Sequence, residues 1–103
     1  MIFALDYDDT YTAAPVLFKA FVANALMYGH TVKFVTYRPA KGSNGDIEAD
    51  ALDLGINIVY TAGRQKQHVF KADVWIDDAP ATIVRCDDLK NYHTGCLVNK
   101  DLS

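Results

Sequence analysis

The fold this sequence predicts is α/β, a doubly wound parallel sheet with helices on both faces in three Rossmann-like layers, and three observations predict it. Short apolar runs alternate along the chain with stretches of helical periodicity. The connections between them are short. Each apolar run ends on polar or charged residues, as strands do at the ligand edge of an open α/β sheet. With 103 residues, half of them hydrophobic, the chain can bury one core and is too short for two, so residues 1–103 are expected to form a single domain.

The elements follow in order. Ile2 to Leu5 is apolar throughout and suits a strand covered on both faces. Pro15 can open a helix, where its missing N–H is harmless, and Phe18, Phe21, Val22, Ala25 and Leu26 then share one helical face. Gly29 stops that helix. Val32 to Val35 is a second strand ending at Thr36, and the Pro39, Gly42 and Gly45 that follow mark a loop. Asp46 can cap a second helix whose buried stripe is Ile47, Ala51 and Leu54, with Gly55 at its end. Ile56 to Tyr60 is a third strand, and a short helix is expected from about Arg64 to Lys71. Val74 to Ile76 is a fourth strand, followed by Asp77, Asp78 and a further helix start at Pro80; Cys96 to Val98 is expected as a weak fifth strand.

Composition excludes several functions. A net charge of −3 provides no basic field for non-specific nucleic-acid binding. No apolar stretch has the length of a membrane span, and the N-terminus lacks the pattern of a signal peptide, so a cytoplasmic location is the expectation. Cys86 and Cys96 are too few for a disulfide scaffold, and with only His93 near them they do not make a metal site.

In a parallel sheet every strand ends on the same edge. Asp6 and Asp8 follow the first strand, Thr36 and Arg38 the second, Arg64 and Lys66 the third, and Asp77 and Asp78 the fourth. If the two acidic pairs are to meet, the fourth strand must lie beside the first, which gives the order 3-2-1-4, with the fifth strand outside the fourth. Carboxylates gathered at that switch point cannot all stay ionised without a cation. Oxygen ligands and room for waters and a phosphate suit Mg²⁺ better than Ca²⁺. Lys66 and Thr36 then stand where the oxygens of a phosphate would lie.

The series DYDDT, VTYR, Lys66 and WIDD resembles the four motifs of the haloacid dehalogenase-like phosphohydrolases, in order and at strand ends, across residues 2–78. The resemblance implies a Mg²⁺-dependent phosphatase that works through an aspartyl-phosphate. Asp6 would be the nucleophile and Asp8 the general acid and base, its main-chain carbonyl also reaching the metal. Thr36 would hydrogen-bond the transferring phosphoryl and Lys66 would neutralise charge. Asp78 would be the direct ligand from the last motif, with Asp77 the second choice or an outer-shell partner. Thr10, Arg38 and Arg64 are the expected substrate contacts. The chain departs from the family's usual pattern at Asp9, where Gly is common, and in having no room for an inserted cap. For members of the family an uncapped site implies phosphates of large or extended substrates, or an enclosure completed by oligomerisation. The negative overall charge here weighs against long polynucleotide contacts and favours a small phosphorylated molecule or a terminal phosphate, such as that of a nucleotide or nucleic-acid end. Tyr7, Tyr11, Tyr37 and Tyr60 could form part of its wall.

Taken singly, each motif has a plainer reading. DYDDT can be a solvated turn, Thr36 a strand-end hydroxyl, and Asp77–Asp78 a helix cap before Pro80. Two other functions also suit the fold. A receiver-type phosphoacceptor domain needs its reactive Asp after the third strand, where this chain has Tyr60-Thr61. A catalytically idle binding module would be expected to have lost Asp6, Asp8 or Lys66, and all three are present.

Overall fold

The computed structural model describes residues 1–84. Four parallel strands form one sheet: β1 (Ile2–Leu5), β2 (Thr31–Thr36), β3 (Asn57–Tyr60) and β4 (Val74–Ile76), in the order β3-β2-β1-β4. This is the α/β, all-parallel arrangement expected, with the fourth strand beside the first. The expected fifth strand at Cys96–Val98 lies outside the described residues, as do Cys86, Asp87, Asp88 and His93. No helix among the described residues is long and apolar enough to cross a membrane.

Register places Leu5 beside both Phe34 and Ile76, and Phe34 beside Ile58. Residues in register share a face, and alternation then assigns Phe3, Leu5, Val32, Phe34, Ile58, Tyr60 and Ile76 to one side. All of them belong to or pack on a single apolar cluster. Helices α1 (Pro15–Met27) and α2 (Gly45–Leu54) add Val22, Ala25, Ile47 and Ala51 to it, and Tyr7, Tyr11 and Ile56 complete it. Both cover the same side because each right-handed crossover steps toward the β3 edge. The return to β4 crosses in the other direction, which puts the short helix α3 (Lys66–Val69) on the opposite face. Lys33, which points to that face, lies 5.5 Å over the ring of Phe70, just beyond α3.

Element boundaries show where local signals were overridden. Leu26 is 39 % exposed, outside the buried stripe it was expected to join. At about 100° per residue it sits roughly a quarter turn from the centre of the face formed by Phe18, Phe21, Val22 and Ala25. Helix α2 starts at Gly45, so Asp46 falls inside the first turn and is not the cap. Asn44 precedes the helix, and its side-chain amide donates to the carbonyls of Pro39 and Ala40, tying down the loop after β2. Helix α3 is shorter than the expected Arg64–Lys71. Ala62 and Gly63 turn the chain at positive φ before it, and Phe70 leaves it in extended conformation.

Candidate active site

The strand ends build the site from their backbone outward. The Asp6 N–H donates to the Ile76 carbonyl at 2.9 Å, so the β1–β4 ladder continues one residue beyond the strand. The chain then coils through one wide helical turn, Tyr7–Tyr11, closed by five-residue-back bonds from Tyr11 N–H to Asp6 O and from Thr12 N–H to Tyr7 O. Inside it Asp8 is extended and Asp9 is left-handed, at φ 62° and ψ 3°. Asp tolerates that conformation better than most residues. The coil gives Asp6 and Asp8 different partners, Lys66 and Thr10 for the first and Arg38 for the second.

Asp6 turns inward and is nearly buried. Its Oδ1 accepts from Lys66 Nζ at 2.8 Å, and its Oδ2 lies 3.0 Å from Thr10 Oγ1. Lys66 opens α3 and is only 1 % exposed. Its ammonium also donates to Asp77 Oδ2 at 2.5 Å, and Asp77 Oδ1 accepts from the Ala79 N–H at 2.9 Å. Thr10 Oγ1 reaches Asp78 Oδ1 at 2.9 Å and accepts from the Asp78 N–H at 3.2 Å. Thr10 and Lys66 thus fasten the end of β1 to the end of β4.

Burial, working against the stabilising contact with Lys66, pushes the Asp6 carboxyl up to about 6. The Thr10 hydroxyl, then Asp6, holds Asp78 below the usual carboxylate range. One oxygen each from Asp6, Asp77 and Asp78 can be chosen so that all three lie within 4.8 Å of one another. Three hard oxygen donors at that spacing can hold a divalent cation, and the set contains no soft ligand that would favour a transition metal.

A cleft of about 180 Å³ opens over this cluster, lined by Asp6, Asp8, Asp9, Thr36, Tyr37, Lys66, Asp77, Asp78, Ala79 and Thr82. Six of the nine residues singled out from sequence therefore face one space. The other three do not line it. Thr10 is spent on the carboxylates, Arg64 is exposed on the loop before α3, and Arg38 stands beside the cleft, gripping Asp8. The Asp8 carboxylate, at the cleft wall, is held by Arg38 and is not part of the three-acid cluster. Its Oδ2 accepts from Arg38 Nε at 3.0 Å and its Oδ1 from Nη2 at 2.7 Å. The same guanidinium donates to Asp46 through Nη1 at 2.7 Å and Nη2 at 2.9 Å, and it stacks 5.3 Å from the Tyr7 ring.

The tyrosine wall is a correction. Tyr7 and Tyr11 are buried in the core against Phe34, because the wide turn folds them back under β2. Tyr60 is half-buried on the α2 side, and only Tyr37 lines the cleft. Two participants were not foreseen. Asp46 was read as a helix cap and is instead the second partner of Arg38. Thr82, in the turn Pro80–Thr82, forms part of the cleft and carries no sequence signal. No family model, curated protein or solved structure matches this chain.

Proposed function

We propose that the protein is a Mg²⁺-dependent phosphatase of the haloacid dehalogenase-like type, hydrolysing a phosphate monoester through an aspartyl-phosphate on Asp6. The observation that carries this reading is the buried ammonium of Lys66 between Asp6 and Asp77, beside the exposed Asp78, at the floor of an open cleft. A cation so placed offsets repulsion between a carboxylate nucleophile and a phosphate dianion. Asp6, Asp77 and Asp78 would hold the Mg²⁺, which when bound neutralises the charge gathered on the transferring phosphoryl group.

The remaining roles belong to the side chains. A carboxylate oxygen of Asp6 attacks phosphorus while the bond from phosphorus to the ester oxygen breaks. Protonated Asp8 gives its proton to that departing oxygen, so the alcohol leaves neutral. Asp8, now a carboxylate, takes a proton from water as the water oxygen attacks phosphorus. The bond from phosphorus to Asp6 breaks, Asp6 returns as carboxylate, and inorganic phosphate is released. Thr36 hydrogen-bonds the phosphoryl oxygens throughout. Three residues, Thr12–Ala14, join the coil to α1, too few for a cap inserted there, and the net negative charge favours a phosphate presented by a small molecule or by the end of a longer one.

The experiment is release of inorganic phosphate from p-nitrophenyl phosphate. Release that requires Mg²⁺, stops with EDTA and is lost in Asp6→Asn supports the proposal. No release, with stable labelling of the protein by acetyl phosphate, would instead mark a phosphoacceptor domain.

A further inference from the structure

We infer that Arg38 is a specificity-determining and positioning residue: the edge of its guanidinium now occupied by Asp8 receives a second anionic group of the substrate, and that exchange frees the Asp8 carboxyl, which already lines the cleft, from its ion pair. The inference rests on the phosphatase reading for the role of Asp8. The anion fork itself is tested by binding alone.

The two partners of Arg38 are held differently. Asp46 belongs to the first turn of α2, and its carboxyl is held down to about 2, by Arg38 first and the Ile47 N–H next. The Tyr7 ring beneath the guanidinium is itself anchored, its hydroxyl donating to Asp50 Oδ2. Arg38 therefore stays in place whether or not Asp8 is present. Asp8 has no such support. Its side chain is 51 % exposed, much as Asp46's is at 54 %, but its side-chain hydrogen bonds among the described residues run to Arg38 alone, whereas Asp46 also accepts from the Ile47 N–H. An exposed ion pair of this kind is weak, so a competing anion can replace it.

The contact has the geometry of ligand recognition. Nε and Nη2 donate side by side to the two oxygens of one carboxylate, the two-point fork by which Arg binds carboxylate and phosphate groups. Asp8 thus occupies the position that a substrate carboxylate or second phosphate would take. A substrate bearing only the scissile phosphate leaves Asp8 paired with Arg38. A substrate with a second anion beyond the ester oxygen displaces Asp8, keeps the guanidinium neutralised and frees the acid to reach the leaving oxygen. The favoured class is therefore phosphate monoesters that carry a second anionic group.

Binding of two matched non-hydrolysable probes, 3-phosphonopropionate and propylphosphonate, is measured by calorimetry in excess Mg²⁺ on wild type, Arg38→Met, Arg38→Lys and Asp8→Asn. Wild type should bind the two-anion probe about tenfold more tightly, a ratio that falls to near 1 in Arg38→Met and recovers only partly in Arg38→Lys, which keeps the charge and loses the fork. Asp8→Asn empties the fork and should tighten 3-phosphonopropionate severalfold more than it tightens propylphosphonate, a differential gain that a merely structural ion pair would not give. A wild-type ratio near 1, or no differential tightening in Asp8→Asn, overturns the inference, even in a protein that releases phosphate from p-nitrophenyl phosphate. The full binding pattern without phosphate release would sink the phosphatase reading and leave the anion fork standing.

Discussion

Replacing Asp6 by Asn should make the metal-free protein more stable at neutral pH. Burial raises the Asp6 carboxyl from 3.8 to about 6 even with Lys66 opposing the rise. At 1.36 kcal/mol per pH unit, that difference amounts to ~3 kcal/mol against the folded state when the group is charged. Below pH 3.8 Asp6 is protonated both folded and unfolded, and the full stability is present. As pH climbs to about 6 the unfolded chain releases its proton first, and that stability is lost. Asn imitates the protonated side chain at every pH, and Lys66 keeps Asp77 as its partner. Wild type and Asp6→Asn should therefore unfold alike near pH 3.5 and diverge through pH 4–6. At pH 7 they should differ by up to ~3 kcal/mol in favour of the variant, on the order of 10 °C in Tm for a domain this size. Urea and thermal unfolding in EDTA at pH 3.5, 5 and 7 measure the gap. A variant less stable than wild type at pH 7 would mean that the Asp6 charge is net stabilising through Lys66, and the reasoning would fail.

Lys66→Met leaves Asp6 and Asp77 buried without their cation and should lower stability by ~3–5 kcal/mol at pH 7, visible as a fall in the urea midpoint. Asp9 holds φ 62°, so Asp9→Val should lose ~1–2 kcal/mol while Asp9→Gly stays within ~1 kcal/mol of wild type, compared by the same denaturation. Tyr7→Phe removes the donor to Asp50 and should lower stability by about 1–3 kcal/mol with the core ring contacts to Tyr11 and Phe34 retained; near-UV circular dichroism checks the packing. On the proposed reading MgCl₂ should raise the Tm of wild type at pH 7 by several degrees, KCl at equal ionic strength should not, and Asp78→Asn should lose most of the effect.

The charge pattern revealed the strand order because it posed a physical problem with few solutions. Two acidic pairs at the ends of separate strands, Asp6–Asp8 and Asp77–Asp78, could share one site only if β4 lay against β1, and Leu5 does pair with Ile76 there. Lys66 could be picked out because the first turn after the β3 loop returns to the same rim, and it meets Asp6 at 2.8 Å. Tyr7 and Tyr11 could not be placed. A string such as YDDTY looks like an exposed polar turn, and only the wide coil, set by bonds five residues back, folds those rings onto Phe34. The Asp8–Arg38–Asp46 clamp was hidden for another reason. It is a rotamer choice shared by residues on three separate elements, and Asp46 also satisfied a helix-cap pattern, whereas the helix begins one residue before it.

Charge balance at the rim ties these parts together. Asp6, Asp77 and Asp78 bring three carboxylates against the single ammonium of Lys66, which leaves the cluster two charges negative when all are ionised. The protein alone moderates this excess through a neutral donor, Thr10, set between Asp6 and Asp78, and through an Asp6 that gives up its proton only near pH 6. A divalent cation would cancel the same excess in full and return Asp6 to the carboxylate a nucleophile must be. Asp8 stands outside this cluster, held by Arg38, whose one charge it shares with Asp46. Under the proposed reading the two halves of the reaction answer to different ligands: the metal readies the nucleophile, and an anion at Arg38 readies the acid.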